Sequence, residues 1–449
     1  MKQIFFISSL VFGIALNGFS QQALTDTTAY HFTVADCINY AYDHQHDVIN
    51  SKLDVTSAGY HVKEIIGQGY PQINGTASFL DYLKIPVTLI PGEFFNKPGT
   101  FVPLKFGVTY QSSVSVNASQ ILFDPSYLVG LQGRKTYKQL YERSYTRSKI
   151  EANVNVTKAY YQVLVSVEQL KLLAANINEL KQQLDETIAR NKQGVVEKID
   201  VDRLTVQYNS LITTRENTNR LLALNYQLLK FQMGMPIENE LFLKDKLEDI
   251  QLDATVGNAT NDTTAYRNRI EYGLLETQNK LYQYDVKLKK GQFLPKLTAN
   301  ANYTPSFQNN SFGALYANSY PSAYVGLTLN VPIFTGWQHL NQLKQSQITL
   351  LKSQNDMYDM KNTINLQVSQ ARISFINGLQ TLTDQKKNMA LAEEVLRVSK
   401  IKYEQGVGSS IEVTQAQTAL QDADNSYIQG LYDALVSKVD LDKAYGRIN

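Results

Sequence analysis

The sequence predicts an α+β membrane protein in which a β-hairpin joined to long antiparallel coiled-coil helices occurs twice. Three observations carry this. The first is internal repetition. Gly67-Gln-Gly-Tyr-Pro71 through Phe79 returns as Gly291-Gln-Phe-Leu-Pro295 through Tyr303, 224 positions on. Lys192-Gln-Gly194-Val through Asp200 returns as Glu404-Gln-Gly406-Val through Glu412, 212 positions on. A duplication of this length means two copies of one architectural unit. The second observation is strict period-two alternation in four short segments, the strand signature. The third is a stretch of about 70 residues without internal proline from Pro125 to Gly194, matched from Gly336 to Gly406. At ~1.5 Å per residue each spans on the order of 100 Å as a helix, beyond any ordinary globular helix.

Composition narrows the class. The 43 Lys+Arg against 41 Asp+Glu leave no field that would draw a nucleic acid. Met1-Lys-Gln-Ile-Phe-Phe-Ile begins one lysine and an apolar run, and the small residues Gly18 and Ser20 suit cleavage before Gln21. That predicts a secretory signal peptide over 1–20, followed by a first repeat over 21–250 and a second over 251–449. No cysteine stands at the cleavage point to take a lipid. Cys37 is the only cysteine in the chain, so it cannot build a disulfide framework. Beyond the leader, no stretch approaches the ~18 uninterrupted apolar residues of a spanning helix. An exported chain with 28 Tyr and 18 Phe is then either periplasmic or a transmembrane β-barrel.

The elements follow in order. Thr33 with Asp36 forms a capping box opening a helix toward Gly67. Strands are expected at about 72–82 and 104–119, then at about 296–306 and 321–332. In the first, Ile73, Ala77 and Phe79 alternate with Asn74, Thr76 and Ser78; in the last, Val325, Leu327, Leu329 and Val331 alternate with Gly326, Thr328 and Asn330. The polar face is uncharged Asn, Ser, Thr and Gln, as suits a wall between lipid and water; a soluble sandwich alternates in the same way. The loop from Lys84 to Pro103 is the longer of the two inter-strand loops and accounts for the change of offset, and its prolines are expected to forbid a regular ladder. In the long helix, Leu170, Leu173, Ile177, Leu180 and Leu184 recur at the 3, 4, 3, 4 spacing of a coiled-coil seam. Helices return from the tip glycines over about 197–233 and 409–444.

Four strands close no barrel, since membrane barrels start at about eight. An open sheet edge in hydrocarbon leaves backbone groups unpaired at several kcal/mol each. If these strands span a membrane, several chains share one barrel, and the copy number stays open.

At this point the pattern resembles the outer membrane efflux protein family, the TolC-like channel-tunnels. The resemblance runs from about Thr33 to the C-terminus. It rests on the Gly-x-x-x-Pro strand starts, on Leu122-Phe123-Asp124 and Ile333-Phe334-Thr-Gly336 at the strand ends, and on the tip Tyr403-Glu-Gln-Gly406 through Glu412-Val-Thr-Gln-Ala-Gln417. The resemblance implies a homotrimer with a twelve-stranded outer-membrane barrel continued by a helical tunnel through the periplasm. It also implies a periplasmic adaptor (membrane fusion) protein, an inner-membrane transporter, RND-type or of type I secretion, and a passive duct for small molecules or drugs that needs no cofactor and runs no reaction. The competing reading is a periplasmic coiled-coil scaffold or adhesin with a small soluble β-domain.

The tips are the expected gate. Asp200, Asp202 and Glu412 follow the tip glycines and, repeated by symmetry, make acidic rings that attract cations; alternatively they are first-turn acids favoured by the helix dipole. The family's second acid in the second copy is replaced by Gln415. Tyr403, Lys198 and Arg203 are candidate latches between neighbours. Gly194, Val195, Gly406 and Val407 form the expected adaptor-contact tips, or serve as plain interhelix turns. His44 and His46 are splayed apart by a helix and suggest no metal site, and no catalytic set is apparent. The aromatics near the strand ends, Tyr82, Phe94, Phe95, Phe101, Tyr303 and Phe307, form an interfacial girdle or pack the outer loops.

Overall fold

In the computed structural model, residues 29–96, 98–247, 250 and 265–448 are described. The expected signal peptide and the boundary between the repeats lie outside them. Two rods set the scale: α3, Pro125–Lys192, and α6, Gln338–Glu404, of 68 and 67 residues. The start of α3 is dictated locally. Pro125 occupies the first turn, where a missing N–H costs nothing, and the Asp124 carboxylate accepts from the backbone N–H of Ser126 at 2.8 Å.

Helix α4, Lys198–Met233, returns along α3, and α7, Ser410–Ala444, returns along α6. The leucine seam closes as expected: Leu173, Ile177, Leu180 and Leu184 pack on Leu204 and Leu211. In the second repeat Leu396 meets Val413, Ala416 and Leu420. Among the described residues no helix is long and apolar enough to cross a membrane.

The capping box is present, with Thr33 Oγ1 accepting from the Asp36 N–H and Asp36 accepting from the Thr33 N–H. The helix it opens does not run to Gly67, however. It divides into α1, Val34–His44, and α2, His46–Gly67, at an extended Gln45, whose side chain accepts from the Val48 N–H at 2.9 Å. A new cap at Gln45 outcompetes helix continuation. Around α1 lies a core of Cys37, Ala41, Tyr160, Val163, Leu229 and Met233. It is finished by a parallel pair missed in the sequence, β1, Tyr30–Phe32, with β6, Leu241–Leu243. Asp245 ties this belt together, accepting from the Val34 N–H at 2.9 Å and from the Tyr160 hydroxyl at 2.8 Å. Helix α5, Ile270–Gly291, occupies the place of α2 in the second repeat.

Beyond the N-terminal ends of the rods lies one four-stranded antiparallel sheet. In chain order its strands are β2, Gln72–Asp81; β5, Tyr110–Phe123; β7, Lys296–Asn309; and β8, Tyr320–Asn330. The spatial order is β2-β5-β7-β8, so each repeat gives one hairpin and β5 joins β7 across the duplication. The register gathers Ile73, Ala77, Val114, Val116, Val325 and Leu327 on one face. The opposite face is mostly polar and carries a charge only at its rod end, where Lys296 pairs with Asp124, and its side chains bond across strands. Asn302 donates to Asn117 at 2.6 Å, Asn300 donates to Thr328 at 2.9 Å, and the Ser78 and Ser113 hydroxyls are hydrogen-bonded at 2.7 Å.

The proline-rich outer loop does carry a ladder, contrary to the sequence expectation. β3, Val87–Pro91, pairs antiparallel with β4, Phe101–Lys105, even though Pro91 and Pro103 lie within it. In an isolated pair each strand is an edge, and a proline whose nitrogen points away from its partner removes no ladder bond. The single strand expected over 104–119 is therefore two strands, broken between Lys105 and Tyr110.

Candidate functional site: the helical tips

Each rod ends in the same motif. Gly194 and Gly406 both stand at φ 76°, a left-handed conformation that glycine takes without penalty. The Val195 N–H reaches back to the Arg190 carbonyl and the Val407 N–H to the Lys402 carbonyl, both at 3.0 Å. The Gly194 N–H bonds Asn191 and the Gly406 N–H bonds Tyr403. These are paired Schellman stops, which turn the chain sharply enough to start the return helix within a few residues. They leave Val195, Ile199, Val407 and Ile411 exposed, two from each tip at positions 212 apart.

The two tips are tied to each other. The Ser410 hydroxyl, on the first turn of α7, donates to Asp200 Oδ1 on the first turn of α4. Arg203 approaches the same oxygen at 3.5 Å. Farther from the tip glycines, Lys400 of α6 pairs with Glu179 of α3. Tyr403 packs beside Leu396 and Val413, and its hydroxyl is buried without a hydrogen-bond partner among the described residues. Burial pushes the Tyr403 phenol up, and the Asp200 charge pushes it the same way. It is therefore neutral across the physiological range.

Farther from the tips the seam between the repeats has a polar step before it turns apolar where Val165 meets Ile428, Leu431 and Leu435. Asn176 of α3 donates to Asp424 of α7 at 2.7 Å. One heptad nearer the tips, Gln183 and Gln417 keep buried amide atoms without partners among the described residues. Desolvation raises the Asp424 carboxyl above the usual range, and the Glu393 charge adds to this. An acid with a raised folded pKa favours folding below that pKa, and its contribution is lost as pH rises through it. Melting followed at 222 nm is expected to show a smaller gain between neutral and mildly acidic pH in Asp424→Asn than in the unaltered chain. An identical gain in both would remove Asp424 from the seam's pH response.

Comparison with known proteins fits this geometry. Residues 275–447 match the family described as outer membrane efflux protein. TolC of Escherichia coli is 23% identical over 359 residues, covering 75% of this chain and 70% of that one. The alkaline protease secretion protein AprF of Pseudomonas aeruginosa is 23% identical over 340 residues, covering 73% and 68%. Among solved structures, CusC superposes with a TM-score of 0.76 at 16% identity over 93% of both chains. The open-state MtrE channel of Neisseria gonorrhoeae superposes at 0.71 and 14% identity, over 92% of this chain and 88% of its own. The chain has the channel-tunnel fold of the outer membrane efflux proteins.

Within this fold the expected site residues separate into two groups. Asp200 and Arg203 come together, and the charge of Asp200 reaches Tyr403. Lys198 and Glu412 stand exposed on the first turns of α4 and α7, and Asp202 is exposed one turn into α4, apart from that cluster. The Glu412 backbone N–H donates to the Ser409 side chain, so its carboxylate sits on a capped helix start, where the dipole favours it. Ser410 was missed in the sequence because a serine near a helix start reads as a cap. Ile199 and Ile411 were legible from the 212-residue offset that relates the glycines.

Proposed function

We propose that this protein is the outer-membrane duct of a tripartite efflux or type I secretion assembly, working as a homotrimer with a gate at its helical tips. The observation that carries the reading is the sheet: apolar on one face, polar and uncharged beyond Lys296 on the other, and open at both edges. Three antiparallel steps make β2 and β8 run in opposite directions. The free edge of β8 in one copy can therefore pair antiparallel with β2 of the next, and three copies of the four-stranded sheet close a twelve-stranded barrel, inside the size range of membrane barrels. The polar face then lines the lumen.

Exposed apolar stripes on the helices support the same assembly. Leu221, Leu224, Leu228 and Phe231 recur at 3, 4, 3 on α4, and Leu391, Val395 and Val398 at 4, 3 on α6. A soluble monomeric scaffold has no use for such seams. Val195, Ile199, Val407 and Ile411 at the tips present an apolar landing for a periplasmic adaptor, which connects the duct to an inner-membrane transporter. TtgC of Pseudomonas putida is described as a toluene efflux pump outer membrane protein and AprF as a protease secretion protein, so both cargo classes suit a duct of this shape. The chain conducts cargo and runs no reaction of its own.

In this reading the Asp200–Ser410 bond holds the tips of one chain together in the closed gate. Single exposed ion pairs give ~0–1 kcal/mol, so the gate depends on repetition around the axis. The combined variant Asp200→Ala with Ser410→Ala is expected to raise single-channel conductance in planar bilayers, while Glu412→Gln lowers cation preference. Unaltered conductance in the first would remove the tips from gating, and unaltered selectivity in the second would remove Glu412 from the lumen.

A further inference from the structure

We propose that the β3–β4 hairpins of adjacent copies pack on one another in a closed ring over the outer mouth of the shared barrel. Each hairpin face is thus covered by a second copy of this chain, and the inference rests on the shared-barrel reading above. The hairpin rises from the end of the sheet opposite the rods. The last pair of the β2–β5 ladder is Asp81 with Tyr110, the Tyr82 N–H still bonds the Thr109 carbonyl at 2.8 Å, and β3 begins five residues later. Since β2 is an edge strand, the hairpin stands where one copy meets the next.

Its faces identify what covers it. The register puts Val87, Leu89, Pro91, Phe101 and Pro103 on one side, interrupted only by Lys105 at the base. Ile90, Val102 and Leu104 occupy the other with Thr88. Both sides are apolar. The barrel sheet, a wall between lipid and water, has one apolar and one polar face, and a hairpin resting on lipid needs no more than that. Two apolar faces require cover on both sides. On the first side Leu89 is 62% exposed and Phe101 68% exposed in the single chain, while Ile90, Val102 and Leu104 on the second are half-buried, and a lone two-stranded hairpin is marginal in water.

The corresponding loop of the second repeat behaves differently. There Leu315 is fully buried, and Phe312 packs edge-on against Phe79 and Tyr110 of its own chain. That loop anchors itself with a buried leucine, although Phe312 stays 62% exposed; among the described residues the first-repeat hairpin buries no large apolar side chain in this way. Around a rotation axis each copy presents unlike surfaces to its two neighbours, and a hairpin with two different apolar faces meets that requirement.

The test places one cysteine on each face, Leu89→Cys with Val102→Cys, and treats the detergent-purified oligomer with a short bismaleimide. Cys37 can stay, because it is fully buried and burial pushes its thiol up to about 12. Native mass is measured first, so that failure to assemble is seen separately and overturns the shared-barrel reading together with the ring. With the oligomer intact, the ring predicts covalent dimers and higher species on a denaturing gel from the double variant. Uncrosslinked chains from an intact oligomer would overturn the ring and leave the barrel standing. A fluorophore on Leu89→Cys quenched by a lipid-borne nitroxide in liposomes would also overturn it, assigning that face to lipid. Replacing residues 87–105 by an Asn-Gly turn is expected to raise conductance; conductance equal to that of the unaltered protein would remove the ring from the mouth.

Discussion

Leu327→Arg is expected to abolish assembly in the outer membrane, while Thr328→Arg, one residue along the same strand, leaves it largely intact. Leu327 stands opposite Ala299 in the middle of the β7–β8 ladder, on the apolar face, and is 69% exposed in the single chain. An arginine facing lipid near the bilayer midplane costs ~2–4 kcal/mol, and the symmetry of the assembly applies that cost once per copy. Thr328 points to the opposite face, where its hydroxyl accepts from Asn300. An arginine there meets water. The measurement is the fraction of protein in outer membranes that requires detergent for release, together with the oligomer band on unheated gels. Equal behaviour of the two variants would mean that the sheet does not separate lipid from water.

The second large effect is expected at Gly234→Ala. Gly234 ends α4 at φ 71°, and a Cβ built there would lie 2.4 Å from the carbonyl oxygen of His44 and 2.8 Å from Cα of Gln45. The left-handed conformation costs a non-glycine residue ~1–2 kcal/mol, and forcing backbone apart in a packed site adds ~1–3 kcal/mol. A loss of about 2–5 kcal/mol in unfolding free energy is expected, read by thermal or denaturant melting at 222 nm. Gly194→Ala is the control. It has nearly the same φ with open space around the added carbon, so only the conformational cost applies. Comparable losses in the two would show that the contact with His44 is not tight.

The same contact recurs in the second repeat. Gly446, 212 positions after Gly234, ends α7 at φ 66° and presses on the Asn268 carbonyl, 224 positions after His44. These are the two offsets of the repeated motifs, so this packing was implicit in the sequence once the duplication was seen. The rods were legible because a proline-free run with leucines at 3, 4 spacing has few alternatives. The sheet was legible because its two faces meet different media. What was not legible depends on through-space competition. The break at Gln45 turns on one side-chain cap, the β1–β6 pair joins segments some 210 residues apart, and the β3–β4 ladder turns on which way two proline nitrogens point. At the tips, Asp200 and Glu412 lie on first turns and Asp202 does not, and nothing in the sequence signalled that Asp200 would be engaged by a serine of the other repeat.

The joint at Gln45 and Gly234 has a mechanical meaning. Beside the unbroken 68 residues of α3, the chain lays α4 of 36 and α2 of 22 end to end, and beside the 67 of α6 it lays α7 of 35 and α5 of 22. A beam continuous along one side and articulated halfway along the other flexes readily in a single plane. Its compliance is concentrated at mid-length, so the lower half can swing as a lever while the strands above stay still.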